Sequence, residues 1–267
     1  MKRFSCIVVL VLCACTALAQ VARDIPFVSA SDDAYRVERC KLDVYAPEGA
    51  KDLPVVVWFH GGGLTSGDKT SLPRDLKESG FVVVSAGYRL IPKGTIADCF
   101  DDAAAAVAWA FENVSRYGGS PEKIFLSGHS AGATLIDMVG LDKRWLAKYG
   151  VDADRVAGLI PFSGQVLTHY SHRQTIGMTP FQPLIDEYAP LAYVRADAPP
   201  IVIISGDRNL ELYGRYEETA YFWRLFQMVG HPDATLYELQ GFNHGNMADP
   251  AVQLLKDNVR RILRKNQ

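Results

Sequence analysis

Gly128-His129-Ser130-Ala131-Gly132 has the pattern G-x-S-x-G, lying after the apolar run Ile124 to Leu126 and before Ala133-Thr-Leu-Ile136. On a sharp strand-to-helix turn, such a serine presents its hydroxyl as a nucleophile, and the flanking glycines relieve the backbone clash the turn creates. A serine attacking a carbonyl generates an oxyanion, which fixed N–H donors must meet as it forms. His60-Gly61-Gly62-Gly63, directly after the apolar Leu53 to Phe59, supplies a reason for three costly glycines in a row: bare backbone approaches where a side chain would obstruct. Gly62 and Gly63, with the N–H of Ala131, are therefore the expected oxyanion donors. Read instead as a dinucleotide fingerprint, the glycines fail on spacing, because the third glycine of G-x-G-x-x-G falls on Ser66.

A general base for the serine is found by elimination among six histidines. His60 precedes the glycine loop, His129 flanks Ser130 and is expected to point away from it, and His231 sits in a Gly-His-Pro turn. His169 and His172 fall in a long irregular stretch. His244 occupies Gly241-Phe-Asn-His-Gly245, between the strand Thr235 to Leu239 and the last helical run. That position respects the chain order nucleophile, acid, histidine.

Strands must carry these loops, and the sequence alternates strand and helix patterns after its first twenty residues. Arg39 to Tyr45 alternates polar and apolar as an edge strand does, and five continuous apolar runs follow, Val55 to Phe59, Phe81 to Ala86, Ile124 to Leu126, Val156 to Phe162 and Ile201 to Ser205. Helical spacing appears from Asp98 to Val114, around Phe222, Phe226 and Val229 with Gly230 as stop, and from Asp249 as N-cap with Pro250 next, through Ile262. The prediction is a doubly wound, mostly parallel α/β sheet of about eight strands flanked by helices, one domain over residues 20–267. Residues 164–199, with prolines at 180, 183, 190 and 199, are longer than a usual connection and read as a cap-like insertion over the site.

Lys2 and Arg3, the apolar Ile7 to Leu12 and Ala17-Leu18-Ala19 read as a signal peptide over residues 1–19, so export to the periplasm or medium is expected. Leu12-Cys13-Ala14-Cys15 is a poorer fit to a lipoprotein box. Cys40 and Cys99 remain beyond the signal, either as one disulfide or as two buried thiols. A net charge of −2 without a basic stripe excludes nucleic acid as the expected partner, and no membrane span, metal or cofactor is expected. His169-Tyr-Ser-His172 lacks a third metal ligand, and Tyr170, Phe181 and Tyr188 are either pocket or packing residues.

Taken together, HGGG, GHSAG and Gly87-Tyr-Arg-Leu90 over residues 35–264 resemble the α/β-hydrolases of the bacterial esterase/lipase group. The resemblance implies a serine esterase working through an acyl-enzyme, and exported members are often carbohydrate esterases that remove acetyl or feruloyl groups. Only 40 residues separate the predicted cleavage site from His60, little room for an N-terminal helical cap. An amide hydrolase on the same fold, an exopeptidase or formamidase, and a non-catalytic binding protein are the alternatives. The family's G-x-x-D spacing after Gly206 lands on Asn209. An asparagine cannot stabilise an imidazolium by charge, which leaves Asp207, favoured for its place at the strand end, and Glu211, with its longer reach.

Overall fold

The computed structural model describes residues 20–28 and 33–265, so the signal-peptide reading of residues 1–19 lies outside the described residues. In chain order the elements are β1 (Gln20–Pro26), α1 (Ala34–Arg39), β2 (Lys41–Ala46), β3 (Leu53–Phe59), α2 (Arg74–Lys77), β4 (Val82–Ala86) and α3 (Ile96–Asn113). They continue as β5 (Gly119–His129), α4 (Ala131–Leu141), α5 (Lys143–Ala147), β6 (Gly158–Phe162), α6 (Tyr170–Thr175), β7 (Ile201–Gly206), α7 (Arg215–Met228), β8 (Ala234–Leu239) and α8 (Ala248–Lys265). The eight strands form one sheet in the order β1-β2-β4-β3-β5-β6-β7-β8, antiparallel at β1–β2 and β2–β4 and parallel from β4 onwards.

Alternation along β3 divides the core between the two faces of the sheet. Val55, Val57 and Phe59 pack with α3 and α4, while Val56 and Trp58 pack with Val252, Leu255 and Val259 of α8. Both faces are covered, which is why the parallel strands read as unbroken apolar runs. The strand expected at the edge, β2, is instead second from it, because β1 pairs along its free side. Its polar position Asp43 is consequently buried, and Lys69 Nζ meets its carboxylate at 2.6 Å.

Two helix starts differ from the sequence reading. Helix α3 begins at Ile96, two residues before Asp98, because Thr95 caps it. The Thr95 hydroxyl accepts from Asp98 N–H at 3.1 Å and the Asp98 carboxylate accepts from Thr95 N–H at 2.8 Å, a reciprocal box. Helix α8 begins at Ala248, which places Asp249 and Pro250 inside the first turn. Cys40 and Cys99 are free, buried thiols and not a disulfide. Cys99 Sγ donates to the carbonyl of Arg89 at 3.1 Å.

Every residue of α4 is buried, including Asp137, whose two carboxylate oxygens have no hydrogen-bond partner among the described residues. Burial pushes this carboxyl well above its ordinary value, so the folded chain holds a proton that the unfolded chain has already released. The stability this group confers is complete below the unfolded pKa of 3.8 and is lost as pH rises towards the folded value. Asp137→Asn keeps the shape and cannot ionise. It is expected to melt higher than the parent at about pH 8, with the gap closing towards about pH 4. A gap that stays constant across a pH series of thermal melts contradicts this account.

Candidate active site

The loops after β3, β5, β7 and β8 meet at the carboxyl ends of the parallel strands, where open α/β sheets place ligands. Ser130 sits between β5 and α4 with φ 56° and ψ −117°, a conformation rare for a side-chain-bearing residue. Its N–H donates to Phe162 O at 2.8 Å, which ties the turn to the end of β6. Only a glycine fits two residues on: a Cβ on Gly132 would lie 2.0 Å from the carbonyl oxygen of Phe59. The sharp turn aims the serine hydroxyl outward, and His244 Nε2 lies 2.9 Å from Ser130 Oγ.

His244 Nδ1 is 2.9 Å from Glu211 Oε2. The Glu211 side chain is wholly buried, and its oxygens also accept from the N–H groups of Gly206 and Leu212, each at 3.1 Å. Burial opposes ionisation here, but the hydrogen bonds from His244 and Ser163 prevail and hold the carboxyl down at about 2. Glu211 is therefore ionised near neutral pH and ready to orient an imidazole.

Asp207, the favoured acid on sequence grounds, does not reach His244. Its Oδ1 accepts from Asn209 N–H and its Oδ2 from Gly241 N–H, both at 2.8 Å, while its own N–H donates to Phe242 O at 2.7 Å. These bonds make Asp207 a clasp between the loop after β7 and the histidine-bearing loop, and they hold its pKa below the ordinary aspartate value. The strand end is rigid but directs this short side chain at backbone. Glu211 comes back to the imidazole from four residues on, after a turn in which its N–H donates to Asp207 O at 2.9 Å. Asn209, at the position of the family's acid, is exposed.

Gly62 and Gly63 have φ 107° and 64°, and a Cβ on Gly63 would lie 2.2 Å from Tyr170 Oη. No carbonyl or side chain among the described residues accepts from the N–H of Gly62, Gly63 or Ala131. Ala131 opens α4, so its N–H also carries the positive end of the helix dipole. A Cβ on Gly61 would lie 3.3 Å from Ser130 Cβ, which places this loop against the serine. Gly62 and Gly63 follow Gly61 in that loop, and Ala131 follows the serine directly.

Several supporting residues escaped the sequence reading. His60 Nδ1 donates to Gly61 O at 2.7 Å, and its ring stacks on Tyr88 of the Gly-Tyr-Arg-Leu segment with centroids 4.4 Å apart. Tyr88 Oη donates to His60 O at 2.8 Å, so this pair braces the glycine loop. Arg89 of the same segment is fixed by Asp102, whose carboxylate it meets at 2.8 Å. The ring of His129, expected to point away from Ser130, lies 4.8 Å from that of His244, and its Nε2 donates to the carbonyl of His244 at 2.8 Å. Burial lowers the pKa of both His60 and His129 to about 4, so each remains a neutral donor near neutral pH.

The insertion over 164–199 does reach the site. The Ser171 hydroxyl donates to Gly63 O, and Tyr170 stands beside the same glycine. His169 accepts from Ser171 N–H at 3.2 Å and caps α6, a structural role. Tyr188 packs towards Phe100, with centroids 6.3 Å apart, and Phe181 is 81% exposed. A cleft of about 460 Å³ is lined by Gly61, Gly62, His129 and Gly245 together with Ser71, Leu72, Pro73, Ala248 and Asp249.

The strand order, with a serine elbow after β5 and a histidine loop after β8, defines an α/β-hydrolase fold. The chain belongs to the BD-FAE family, whose model matches residues 42–212. Among curated proteins it is 42% identical over 99 residues to a probable isoprenylcysteine alpha-carbonyl methylesterase of Oryza sativa subsp. japonica, covering 36% of this chain and 23% of that protein. It is also 28% identical over 202 residues to a probable carboxylic ester hydrolase of Mycobacterium tuberculosis, covering 67% of this chain and 46% of that one. The chain thus spans a quarter to a half of the length of these relatives. A truncated form of a carbohydrate esterase from gut microbiota superimposes with a TM-score of 0.74 at 16% identity, covering 93% of this chain and 98% of that one, a likeness of fold.

Proposed function

We propose that this protein is a carboxylic ester hydrolase that works through a covalent acyl-enzyme. The observation that carries the reading is the unbroken chain Ser130 Oγ, His244 Nε2, His244 Nδ1, Glu211 Oε2, with both links at 2.9 Å. Ser130 Oγ attacks the ester carbonyl carbon while His244 Nε2 takes its proton. The resulting oxyanion accepts from the N–H groups of Gly62, Gly63 and Ala131. Glu211 holds the imidazole in the tautomer with Nδ1–H and stabilises the imidazolium. Collapse breaks the bond to the leaving alkoxide, which receives the proton from Nε2. Water, activated by the same nitrogen, then releases the acid and restores Ser130. The relatives named as ester hydrolases support this reading.

Within this reading the substrate is a short-acyl ester, and acetyl or feruloyl groups on carbohydrate are the favoured source, consistent with the likeness to a carbohydrate esterase. Residues 1–19 direct export, and the mature protein begins at Gln20. A panel of p-nitrophenyl esters of increasing chain length, acetylated and feruloylated sugars, and matching anilides tests the assignment. Acetyl to butyryl esters are expected to exceed dodecanoyl and longer esters in kcat/KM by at least about tenfold. Faster cleavage of micellar long-chain esters overturns the short-acyl assignment, and faster cleavage of the anilides makes the protein an amide hydrolase.

A further inference from the structure

We infer that Ser163 is a positioning residue of the catalytic chain, accepting the Nδ1 proton of His244 together with Glu211. The inference rests on the ester-hydrolase reading above and extends it. Ser163 Oγ lies 2.9 Å from His244 Nδ1, the same separation as Glu211 Oε2. With Nε2 accepting from Ser130, Nδ1 carries the ring's one proton, which both oxygens face. The hydroxyl of Ser163 then accepts from Nδ1 beside the carboxylate of Glu211, so two oxygens from different elements share one donor. Two acceptors limit rotation of the imidazole about its Cβ–Cγ bond more tightly than one carboxylate oxygen does.

The backbone around Ser163 is built to hold this pose. Ser163 has φ 49°, a left-handed conformation that costs energy for a residue with a Cβ. Its N–H donates to Ile204 O at 2.7 Å, and its carbonyl accepts from Arg215 Nη1. Arg215 is itself buried and bonded to Glu218 at 3.1 Å, and Glu218 accepts from the N–H groups of Val166 and Leu167, each at 3.1 Å. A strained residue over-determined on both its backbone groups, with its side chain on the imidazole, is placed for function.

The test compares Ser163→Ala and Ser163→Gly in the full chain, using p-nitrophenyl acetate. Both remove the hydroxyl, but only glycine relieves the left-handed backbone. The expected result is a fall in kcat of about 10- to 100-fold in both variants, with KM within about twofold of the parent. In a Glu211→Gln background the same substitutions are expected to cost no more than about twofold further, because Ser163 and Glu211 act together on the same Nδ1 proton. Parent-like kcat in Ser163→Gly overturns the inference, since the hydroxyl is then dispensable. A loss that is fully additive with Glu211→Gln overturns it too. Should Ser163→Ala fail to fold, the glycine variant, suited to φ 49°, decides alone. Activity of the unmodified chain on the same ester separates failure of this inference from failure of the ester-hydrolase reading.

Discussion

Ser130→Ala is expected to lower kcat on a short ester by about a million-fold while the thermal melt stays close to that of the parent. The hydroxyl is the atom that bonds to the acyl carbon, so its removal leaves only binding and the backbone donors to work on the substrate. Those residues alone retain about a thousand-fold over water in a comparable system, so a small residual rate is part of the expectation. Labelling by a fluorophosphonate probe should occur on Ser130 of the parent and vanish in the variant. His244→Ala is expected to lose a similar amount, and the double variant to lose little more than either single one, because the two groups act as one unit. A folded parent protein that takes no probe, or losses that multiply, contradict the proposed mechanism and favour a binding role for the fold.

The second large effect separates two carboxylates four residues apart. Glu211→Gln is expected to cost about ten-thousand-fold in kcat, the size of an acid-to-amide exchange in a known triad. Without the negative charge, the amide stabilises no imidazolium, and its NH₂ can turn to Nδ1 and select the wrong tautomer. Asp207→Ala should retain activity within about tenfold and instead lower the melting temperature, because it removes the acceptors for Asn209 and Gly241 N–H and loosens the clasp on the histidine loop. Asn209→Asp should change little, since Asn209 is exposed while Glu211 already occupies Nδ1. Turnover of a short ester by the three variants, with melts on each, checks all of this. If Asp207→Ala proves the more damaging to kcat while melting normally, Glu211 is not the acid.

Local pattern alone pointed to the serine and the histidine that the fold brings within 2.9 Å of each other, and to most of the parallel strands. Each depends on a few neighbouring residues: Gly128 and Gly132 flank Ser130 because the turn itself admits nothing larger, and His244 is marked by standing between the last strand and the last helix. Periodicity likewise revealed β3 to β7, since burial on both faces demands an apolar residue at every step. The acid was not legible in this way. Whether Asp207 or Glu211 meets His244 depends on the path of two loops whose contacting residues are 33 apart, Glu211 reaching back from four residues beyond Asp207 with one more methylene.

Tertiary structure also decided the neighbours that orient the chemistry. His129 reaches the carbonyl of His244 from 115 residues away, and Ser163 reaches its Nδ1 from 81. The one hint in the sequence was position: both stand at the carboxyl ends of strands β5 and β6, which lie side by side in the sheet. Strand order itself is not a local property, and so the burial of β2 under β1 was equally hidden. The sequence determines which groups are available for catalysis and on which kind of element each sits. Which of them meet is set by how the strands are laid beside one another, because a hydrogen bond of 2.9 Å is decided by loop paths that no short run of residues specifies.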